Sequence, residues 1–435
     1  MMRRRSLALL MVVISVMPMK SQERRTLTVD QLFDFVESNS KTLQTQKTSV
    51  EFASKGLDAA KSQRLPDINT SLSLSYNGNV LITDRDFSEA HGYSAPHLGN
   101  SFALEAQQVV YAGGAINAGI RMAELQQEAA QTSEQQTRQQ QRFLALGQYL
   151  DLYRLFNQQQ VYEQNIKLTL RLIEDILAKH SEGMALRNDV TRYELQLENL
   201  RLALRKAQDQ RSILNHQLCN TLGLQDVEIV PDTTLTQTTF GHSGEEAWQT
   251  EALSSSPALK QAAIGKLMAD QELKLAKSEL LPKVALVAAD HLNGPFTYDI
   301  PPKDINVNYW YVGVGVQYPI SSLFKGNKKL HQARIATRRS TEAHAVAAEQ
   351  VNNAVQQAYT LYEQAYAELD TQRKSVELAS QNYKVVNDRY LSQLALITDM
   401  IDASNIKLQA ELQEVNALIG IVYAYYQMKY VSGTL

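Results

Sequence analysis

The sequence predicts a mainly helical protein that carries four β-strands of membrane-spanning length and consists of two similar halves. Three observations lead to this fold class. A helix that ends at a Leu-Pro pair and continues as a strand occurs twice, at residues 57–76 and 273–289. Long stretches without proline keep apolar residues at helical spacing. Equivalent residues of the two halves are separated by a nearly constant number of positions, which indicates an internal duplication.

The two Leu-Pro pairs mark the change from helix to strand. Proline disfavours the α conformation of the residue before it, so we expect each helix to end at Leu65 or Leu281. After Pro66, residues 68–76 alternate between the apolar and the small polar type, which predicts a strand with two different faces. The apolar set is Ile68, Leu72, Leu74 and Tyr76, and the polar set is Asn69, Ser71, Ser73 and Ser75. This alternation also fits a half-buried sheet of a soluble protein.

Composition excludes several classes of function. The chain has 435 residues and a net charge of −3, which gives no reason to expect a nucleic-acid partner. Its single cysteine, Cys219, excludes an intrachain disulfide and a four-cysteine zinc site, and we interpret it as a small core residue. The eight histidines have no metal-ligand spacing, and we find no nucleophile–base pair or phosphate loop. We therefore predict no enzyme, no catalytic residues, no cofactor and no metal.

The N-terminus has the pattern of a secretory signal peptide, predicted at residues 1–21. The basic segment Arg3-Arg4-Arg5 precedes an apolar stretch at 7–17 that is too short to span a bilayer. No cysteine follows that stretch, which argues against a lipid anchor there. No later run of about 18 apolar residues occurs, so we expect export from the cytoplasm without a transmembrane helix.

The first half predicts helix, strand, loop, strand and two further helices. In order, the helices and strands are expected at 27–64 (helix), 67–77 (strand), 101–111 (strand), 115 to about 180 (helix) and 186–222 (helix). Thr28 and Gln31 have the spacing of a capping box. Gly113 and Gly114 break the second strand, and Gly183 lies in the turn between the long helices, so these three are predicted to be junction glycines. We expect 77–100 to be an exposed loop and 225–246 to be irregular.

The second half repeats this order. Its elements are expected at 245–280 (helix, interrupted or capped at Ser256-Pro257), 283–290 (strand), 309–320 (strand), 327–390 (helix) and 399–430 (helix). Pro282 lies 216 residues after Pro66, whereas Asp399 lies 210 residues after Asp189. The difference of six falls within the strand–loop–strand segment, where insertions cost little. One duplication therefore explains both halves.

Four strands of this length have a consequence for assembly. Strands of about 9–11 residues match tilted membrane-spanning strands. Four of them cannot close a barrel, and open sheet edges are not tolerated in lipid. If the strands span a membrane, several chains must share one barrel, with the strand-connecting loops on one side and the long helices on the other.

Several short motifs in this order resemble those of a known family. They are the two Leu-Pro junctions, the stretch Gln-x-Val-x-Tyr-Ala-Gly-Gly at 107–114, the turns at 183–190 and 390–403, and the C-terminal Ser-Gly-Thr-Leu. By their order and spacing, the chain resembles the TolC-type outer-membrane factors of Gram-negative efflux pumps and type I secretion systems. The resemblance covers essentially the whole mature chain.

The resemblance implies an architecture and partners. It implies a homotrimer whose twelve strands form one outer-membrane β-barrel, continued by a long periplasmic α-helical barrel with a closed end. The implied domains are a first repeat at 22–224, an equatorial linker at 225–244 and a second repeat at 245–435. The implied partners are a periplasmic adaptor (membrane-fusion) protein, an inner-membrane transporter and outer-membrane lipid. The function would be a passive export conduit that is gated at its periplasmic end.

Two carboxylates match the constriction of the family. Asp399 and Asp402 are three residues apart near the start of a helix, so both can face one side. Under threefold symmetry they would form acidic rings that filter cations. The alternative is helix capping, because an aspartate near a helix N-terminus interacts favourably with the helix dipole. Both roles remain open at this stage and can coexist.

A tyrosine matches the gate of the family. Tyr390 corresponds to the gate tyrosine, and Asp189 with Asn188 corresponds to its partner in the other repeat. A hydroxyl–carboxylate hydrogen bond there would be charge-assisted; the alternative is a tyrosine packed between helices. The sequence departs from the family at Ala395, where many members have a basic residue, and at Gln393, where glycine is usual. The latch is therefore expected to be weaker or differently built.

Other interpretations belong to different classes of protein. Trp310, Tyr318 and Tyr76 are either anchors at the membrane interface or ordinary sheet residues. The main alternative to a channel is a structural coiled-coil envelope protein without channel activity, which would need soluble strands. A substrate-specific porin fits poorly with four strands and roughly two-thirds helix.

Overall fold

The computed structural model describes residues 23–435, except 226, 233, 236–240, 242–243 and 393. The predicted signal peptide and Gln393 lie outside the described residues. The helices are α1 (Val29–Asn39), α2 (Lys41–Ser62), α3 (Ala115–Ser181), α4 (Arg187–Leu222), α5 (Glu245–Ser255), α6 (Pro257–Ser278), α7 (Ser322–Leu391) and α8 (Ile397–Ser432). The strands are β1 (Glu23–Leu27), β2 (Asp67–Tyr76), β3 (Val80–Ile82), β4 (His91–Tyr93), β5 (Leu98–Tyr111), β6 (Val227–Pro231), β7 (Lys283–Gly294) and β8 (Val307–Gln317).

The predicted fold class is confirmed. The chain is mainly helical, and each of its two similar halves contributes two strands to one four-stranded sheet. The capping box at the start of α1 is present, since Thr28 Oγ1 accepts the Gln31 N–H and the Gln31 side chain accepts the Thr28 N–H. Helices α3 and α7 have 67 and 70 residues, which at 1.5 Å per residue makes each about 100 Å long. Among the described helices, none is apolar enough over a sufficient length to cross a membrane.

One predicted helix is in fact two. The stretch predicted as one helix at 27–64 contains α1 and α2, which are separated at Ser40, where ψ is 117°, while Leu27 belongs to β1. Ser256, 216 residues later, has ψ of 118° and separates α5 from α6 in the same way. Serine competes for local hydrogen bonds and favours helix ends, but this signal is weaker than the proline that follows Ser256. The break at Ser40 was therefore missed, although the second half contains its equivalent.

The regions expected to be irregular contain further strands. β6 lies within 225–246, and β3 pairs with β4 inside the loop expected at 77–100. β7 continues to Gly294 because β5 remains its partner up to Asn100. β8 ends at Gln317, so the expected strand residues Tyr318 and Ile320 lie outside it. Pro319 has no N–H to continue the ladder, which explains the earlier end.

The chain divides into two compact units. The first, which we call the turn unit, contains the residues up to Ser40, Leu144–Phe240 and Ala365–Tyr423. The second, which we call the sheet unit, contains Lys41–Phe143, Gly241–Gln364 and Ala424–Leu435. Helices α3, α7 and α8 each contribute residues to both units.

The sheet unit contains an antiparallel sheet in the order β2-β5-β7-β8. The central pair, β5 and β7, joins the two repeats, and β2 and β8 form the edges. One face is apolar and carries Ile68, Leu72, Leu74, Tyr76, Phe102, Leu286, Trp310, Val312, Val314 and Val316. Every residue of β2 is exposed, including Leu72 at 70% and Leu74 at 77%. This sheet therefore has no protein layer over β2 on either face.

The turn unit contains a small parallel sheet of β1 and β6. Tyr149, which is fully buried, connects the two strands: its hydroxyl donates to the Leu27 carbonyl at 2.7 Å and accepts the Asp232 N–H at 2.8 Å. Asn215 accepts the Ile229 N–H and donates to the Val227 carbonyl, both at 2.8 Å. These bonds fix β1 and β6 against helices α3 and α4.

Candidate functional site

The candidate site consists of the two turns of the turn unit, one in each repeat. The first turn connects α3 to α4 and the second connects α7 to α8. The Met184 N–H donates to the Lys179 carbonyl at 2.8 Å, and the Leu394 N–H donates to the Arg389 carbonyl at 2.8 Å. Both bonds join residues five positions apart, as in the motif that commonly ends helices. Helices α3 and α7 therefore end with the same backbone hydrogen bond.

Each turn starts its second helix with an aspartate cap. The Asp189 carboxylate accepts the Leu186 N–H at 3.1 Å, and the Asp399 carboxylate accepts the Leu396 N–H at 3.0 Å. Both acids lie in the first turn of a helix, where a negative charge also interacts favourably with the helix dipole. The capping role considered for Asp399 is thus present in the geometry. Asp402, one turn further along α8, is exposed.

An apolar core holds the two turns together within this unit. Its most buried members are Ile176 from α3, Val190 and Tyr193 from α4 and Met400 from α8, all at 0% exposure. Partly buried residues in the first turn and in the helix ends beside the second turn pack against it, namely Ala185, Tyr383, Val386, Tyr390, Ile397 and Ile401. Movement of one turn would therefore expose apolar surface of the other.

Tyr390 lies half-buried between the repeats. Its ring packs against the apolar core, and the Lys179 ammonium lies 4.7 Å from the ring centroid. Burial raises the pKa of Tyr390, and the nearby Asp189 carboxylate raises that pKa further. In the part of the chain that the structure describes, Asp189 bonds to the Leu186 backbone and no hydrogen bond joins it to Tyr390. Asn188, the other partner suggested by the sequence, is exposed.

Lys179 is the residue that sequence reasoning missed. It supplies a positive charge beside the tyrosine from the first repeat, whereas the family pattern suggested one at Ala395 in the second. A cation over an aromatic face stabilises by roughly 0.5–1 kcal/mol at exposed sites. The only sequence signal was that Lys179 has a basic counterpart, Arg389, 210 residues later. Nothing in the pattern indicated a contact with Tyr390.

A second polar cluster connects three helices near the core. The Lys407 ammonium of α8 lies 2.7 Å from Glu411 and 5.7 Å from the ring centroid of Tyr383 in α7. The Asn165 amide of α3 donates to the same Glu411 carboxylate at 3.1 Å. Because these groups are largely shielded from water, their attraction is stronger than that of exposed pairs.

Tyr193 is the most deeply buried polar group of the site. Its side chain is at 0% exposure, and its hydroxyl has no hydrogen-bond partner among the described residues. Burial raises its pKa above the ordinary value, and the neighbouring Tyr383 and Tyr390 raise that pKa further. Three tyrosines thus lie close together, one from the first repeat and two from the second.

The three junction glycines adopt conformations that favour glycine. Gly113, Gly114 and Gly183 have φ of 61°, 88° and 75°. A Cβ on Gly113 would also lie 2.9 Å from the Ser278 carbonyl oxygen, which is too close. Tyr76 and Trp310, the aromatics considered as interface anchors, are 78% and 73% exposed on the apolar face of the sheet, and their role stays a prediction. Among the described residues, no group of three or more His, Cys, Asp or Glu side chains could hold a metal ion.

The sequence and the fold match known proteins along most of the chain. Residues 32–224 and 248–427 match the family described as outer membrane efflux protein. The outer membrane efflux protein BepC of Brucella suis biovar 1 (strain 1330) is 21% identical over 401 residues, which are 91% of this chain and 83% of BepC.

Solved structures show the same fold at low identity. The outer membrane protein VceC of Vibrio cholerae superposes with a TM-score of 0.77 at 15% identity, over 93% of this chain and 96% of VceC. The MtrE outer membrane channel of Neisseria gonorrhoeae, solved in its open state, gives a TM-score of 0.74 at 14% identity, over 94% of this chain and 89% of MtrE.

The fold, the paired turns and these matches define an export channel component of the outer membrane. The long helices form its periplasmic extension. The chain belongs to the outer membrane efflux protein family. The comparisons support this function and give no support to a structural coiled-coil protein.

Proposed function

We propose that this protein is the homotrimeric, passive conduit of a tripartite efflux pump or type I secretion system. The observation that carries the proposal is the four-stranded sheet. Its edge strands β2 and β8 have no further neighbour among the described residues, and its apolar face is exposed. Backbone groups at open edges cannot remain unpaired in lipid. Other copies of the chain satisfy both edges without any additional protein.

Three copies give a closed barrel of a reasonable size. If β2 of one copy pairs with β8 of the next, three chains contribute twelve strands, within the range of outer-membrane barrels. The alternation along β2 then places the leucines toward lipid and the serines toward the lumen. We also propose two repeats, 22–224 and 245–435, joined by an equatorial linker at 225–244; the two segments that match the family lie within these bounds.

The gate is proposed to lie at the two turns. Asp399 and Asp402, which are both exposed, would form acidic rings at the constriction, while Asp399 also caps α8. Tyr390, Asp189 and Asn188 would hold the second turn to the first, with Lys179 as the basic member of this network. Since MtrE has an open state, opening would require the second turn to leave the shared apolar core.

The proposed partners follow from the passive role of the conduit. A tube that performs no chemistry needs an energy source elsewhere, so the proposed partners are an inner-membrane transporter and a periplasmic adaptor that contacts the helices. Outer-membrane lipid surrounds the apolar face of the sheet.

The proposal is tested by the location, mass and conductance of the assembly. We expect the protein in the outer-membrane fraction, with the mass of three chains in detergent after subtraction of bound detergent. Planar bilayers should show a small closed-state conductance that is cation-selective. A soluble monomer without conductance would contradict the proposal and favour a structural envelope protein.

A further inference from the structure

One carboxylate lies on the apolar face of the sheet. Asp290 of β7 is directly opposite Leu104 of β5 and Trp310 of β8, and cross-strand partners share a face. Along β7 it stands between Leu286 and Leu292 at intervals that keep all three on this face. The other acid of the central strands, Glu105, is opposite Ala289 and therefore on the polar face.

Asp290 lies at one end of an apolar groove. The groove has a volume of about 360 Å³, within the size of small-molecule pockets (about 300–1,000 Å³). It exists because two paired alanines, Ala106 and Ala288, leave space between larger neighbours. Leu104, Trp310 and Val312 form the sides of the groove. Its shape and composition suit a hydrocarbon chain.

The polar end of the groove is built by two side chains. The Asn308 amide donates to the Asp290 carboxylate at 2.7 Å and to the His291 carbonyl at 3.3 Å. Asn308 is thereby held in place, with its donors directed at the acid and the backbone. A carboxylate accepts several hydrogen bonds, so Asp290 keeps acceptor capacity for a donor from outside the protein.

A carboxylate on a lipid-facing surface is unfavourable unless a positive charge compensates it, and the Asn308 amide carries no charge. Trp310 lies beside Asp290, and tryptophan is typical of the depth at which lipid headgroups begin. A lipid whose headgroup carries an ammonium group would compensate the charge of Asp290, and its hydrocarbon chain would fill the groove at the same time. Neither a soluble cation nor a lipid without a cationic group would do both.

We propose that Asp290, Asn308 and the adjoining groove form a binding site for a lipid with a primary ammonium headgroup, which can donate hydrogen bonds, such as phosphatidylethanolamine. The inference rests on the proposed function, because it requires the apolar face of the sheet to meet lipid. Each copy carries one complete site within its own sheet, so the trimer holds three such lipids.

The test measures lipid binding at Trp310. The chain has two tryptophans, so Trp248→Phe leaves Trp310 as the sole tryptophan, whose emission can be excited selectively near 295 nm. This variant is placed in bilayers of phosphatidylcholine, whose quaternary ammonium has no N–H to donate. The bilayers contain a small fraction of phosphatidylethanolamine with brominated chains, which quench nearby tryptophan. Phosphatidylglycerol with the same chains is the anionic comparison. Lipid retention by the purified trimer, counted by native mass spectrometry, is the second readout.

We expect quenching at lower concentrations of phosphatidylethanolamine than of phosphatidylglycerol. Asp290→Asn should weaken the apparent affinity for phosphatidylethanolamine about tenfold, the effect of one charge-assisted hydrogen bond. Glu105→Gln, the matched carboxylate on the opposite face, should leave both lipids unaffected.

Two results would overturn the inference: equal quenching by both lipids, or equal losses in Asp290→Asn and Glu105→Gln. Conductance in planar bilayers separates this failure from that of the channel. If all variants conduct normally while lipid selectivity is absent, only the lipid site is wrong. If the unaltered protein neither conducts nor inserts, the proposed function fails with it.

Discussion

The two repeats have the same helix ends but different contacts at their turns. The Leu224 N–H donates to the Cys219 carbonyl at 2.9 Å, and 210 residues later the Thr434 N–H donates to the Lys429 carbonyl at 2.9 Å. At the turns, however, position 180 is a histidine whose Nδ1 lies 2.8 Å from the carbonyl of Ala185 in its own turn. The equivalent residue, Tyr390, contacts Lys179 of the other repeat.

This difference distinguishes the backbone bonds that end the helices within each repeat from the side-chain contacts that connect the two repeats. Backbone bonds at helix ends depend on a glycine and a few neighbours, so both copies retain them. The contacts of His180 and Tyr390 depend on partners from different places, so duplication does not keep them alike. The side chain of His180 is bonded within its own turn, whereas that of Tyr390 contacts the other repeat, which makes the second turn the better candidate for movement.

The largest expected effect concerns the glycines that end α4 and α8. Gly433 and Gly223 have φ of 81° and 67°, and an added Cβ would lie 2.6 Å from the Ser255 carbonyl oxygen or 2.9 Å from Asn39 Cβ. Because backbone yields less than a side chain, Gly433→Ala should lower the free energy of unfolding by about 3 kcal/mol and Gly223→Ala by about 2 kcal/mol. Thermal unfolding and trimer yield would measure this.

The control for that pair is Gly147, where an added Cβ would meet nothing within 4 Å. Gly147→Ala should be neutral or slightly stabilising, since alanine favours the helix. Wild-type stability of Gly433→Ala would show that the two helix ends are not under the same constraint.

The next effect concerns the ring of Tyr390. Tyr390→Ala should raise the closed-state conductance and destabilise the turn by about 2–3 kcal/mol, because it removes the ring from the core and from Lys179. Tyr390→Phe keeps the ring and should change conductance less. His180→Ala, at the equivalent position, is the control and should leave conductance unchanged. A Tyr390→Phe effect as large as that of Tyr390→Ala would assign the latch to the hydroxyl.

A smaller effect is expected from the cation beside that ring. Lys179→Met should weaken the interaction with the Tyr390 ring by about 1 kcal/mol and thereby increase the frequency of channel opening. Arg389→Met alters the equivalent position of the second repeat and is the matched control. Single-channel recordings would compare the two, and similar behaviour would remove Lys179 from the gate.

The two capping aspartates should be alike in stability and differ in transport. Asp189→Ala and Asp399→Ala each remove an N–H acceptor at a helix start and should destabilise by about 1 kcal/mol. Only the change at Asp399, alone or with Asp402→Ala, should reduce cation selectivity. Reversal potentials under a salt gradient measure this. Unchanged potentials in the double variant would leave capping as the role of Asp399.

The smallest effect at neutral pH is expected at Tyr193. Its hydroxyl is unpartnered among the described residues, so Tyr193→Phe should change stability by only a few tenths of a kcal/mol at pH 7. The folded state raises the pKa of Tyr193, Tyr383 and Tyr390 above 10.0, so it holds these protons more tightly than the unfolded chain.

The stabilisation that comes from the raised tyrosine pKa values is fully present below the ordinary tyrosine pKa of 10.0. It is lost as the pH rises through the higher pKa values of the folded state. Wild-type stability should therefore fall above about pH 10, and Tyr193→Phe should reduce the fall. Denaturant unfolding between pH 8 and 11.5 would measure it. Parallel curves for the two proteins would contradict burial of an ionisable tyrosine.

Local signals explain why the fold class could be predicted from the sequence. Proline after Leu65 and Leu281, and glycine at 223, act on their own neighbours and are visible without a structure. The pairing of β1 with β6 was missed because each strand has only five residues and its partner is more than 200 positions away. Periodicity cannot identify such short, distant pairs.

The same limit applies to the site. The capping role of Asp399 was recognised because it depends on a residue three positions away. The contact between Lys179 and Tyr390 depends on the packing of two helices from different repeats, and no pattern within either helix encodes it. The acidic rings depend on other copies of the chain and stay a prediction.

The pairing of β5 with β7 has a consequence for biogenesis. Ser101 of β5 donates a hydrogen bond to Asn293 of β7, a partner 192 positions later. During secretion the first two strands therefore emerge long before the strand that completes their sheet, with an open edge and an apolar face. Contacts between such distant residues also form slowly. A periplasmic holding chaperone would thus be needed for β2 and β5 until the second half of the chain has arrived.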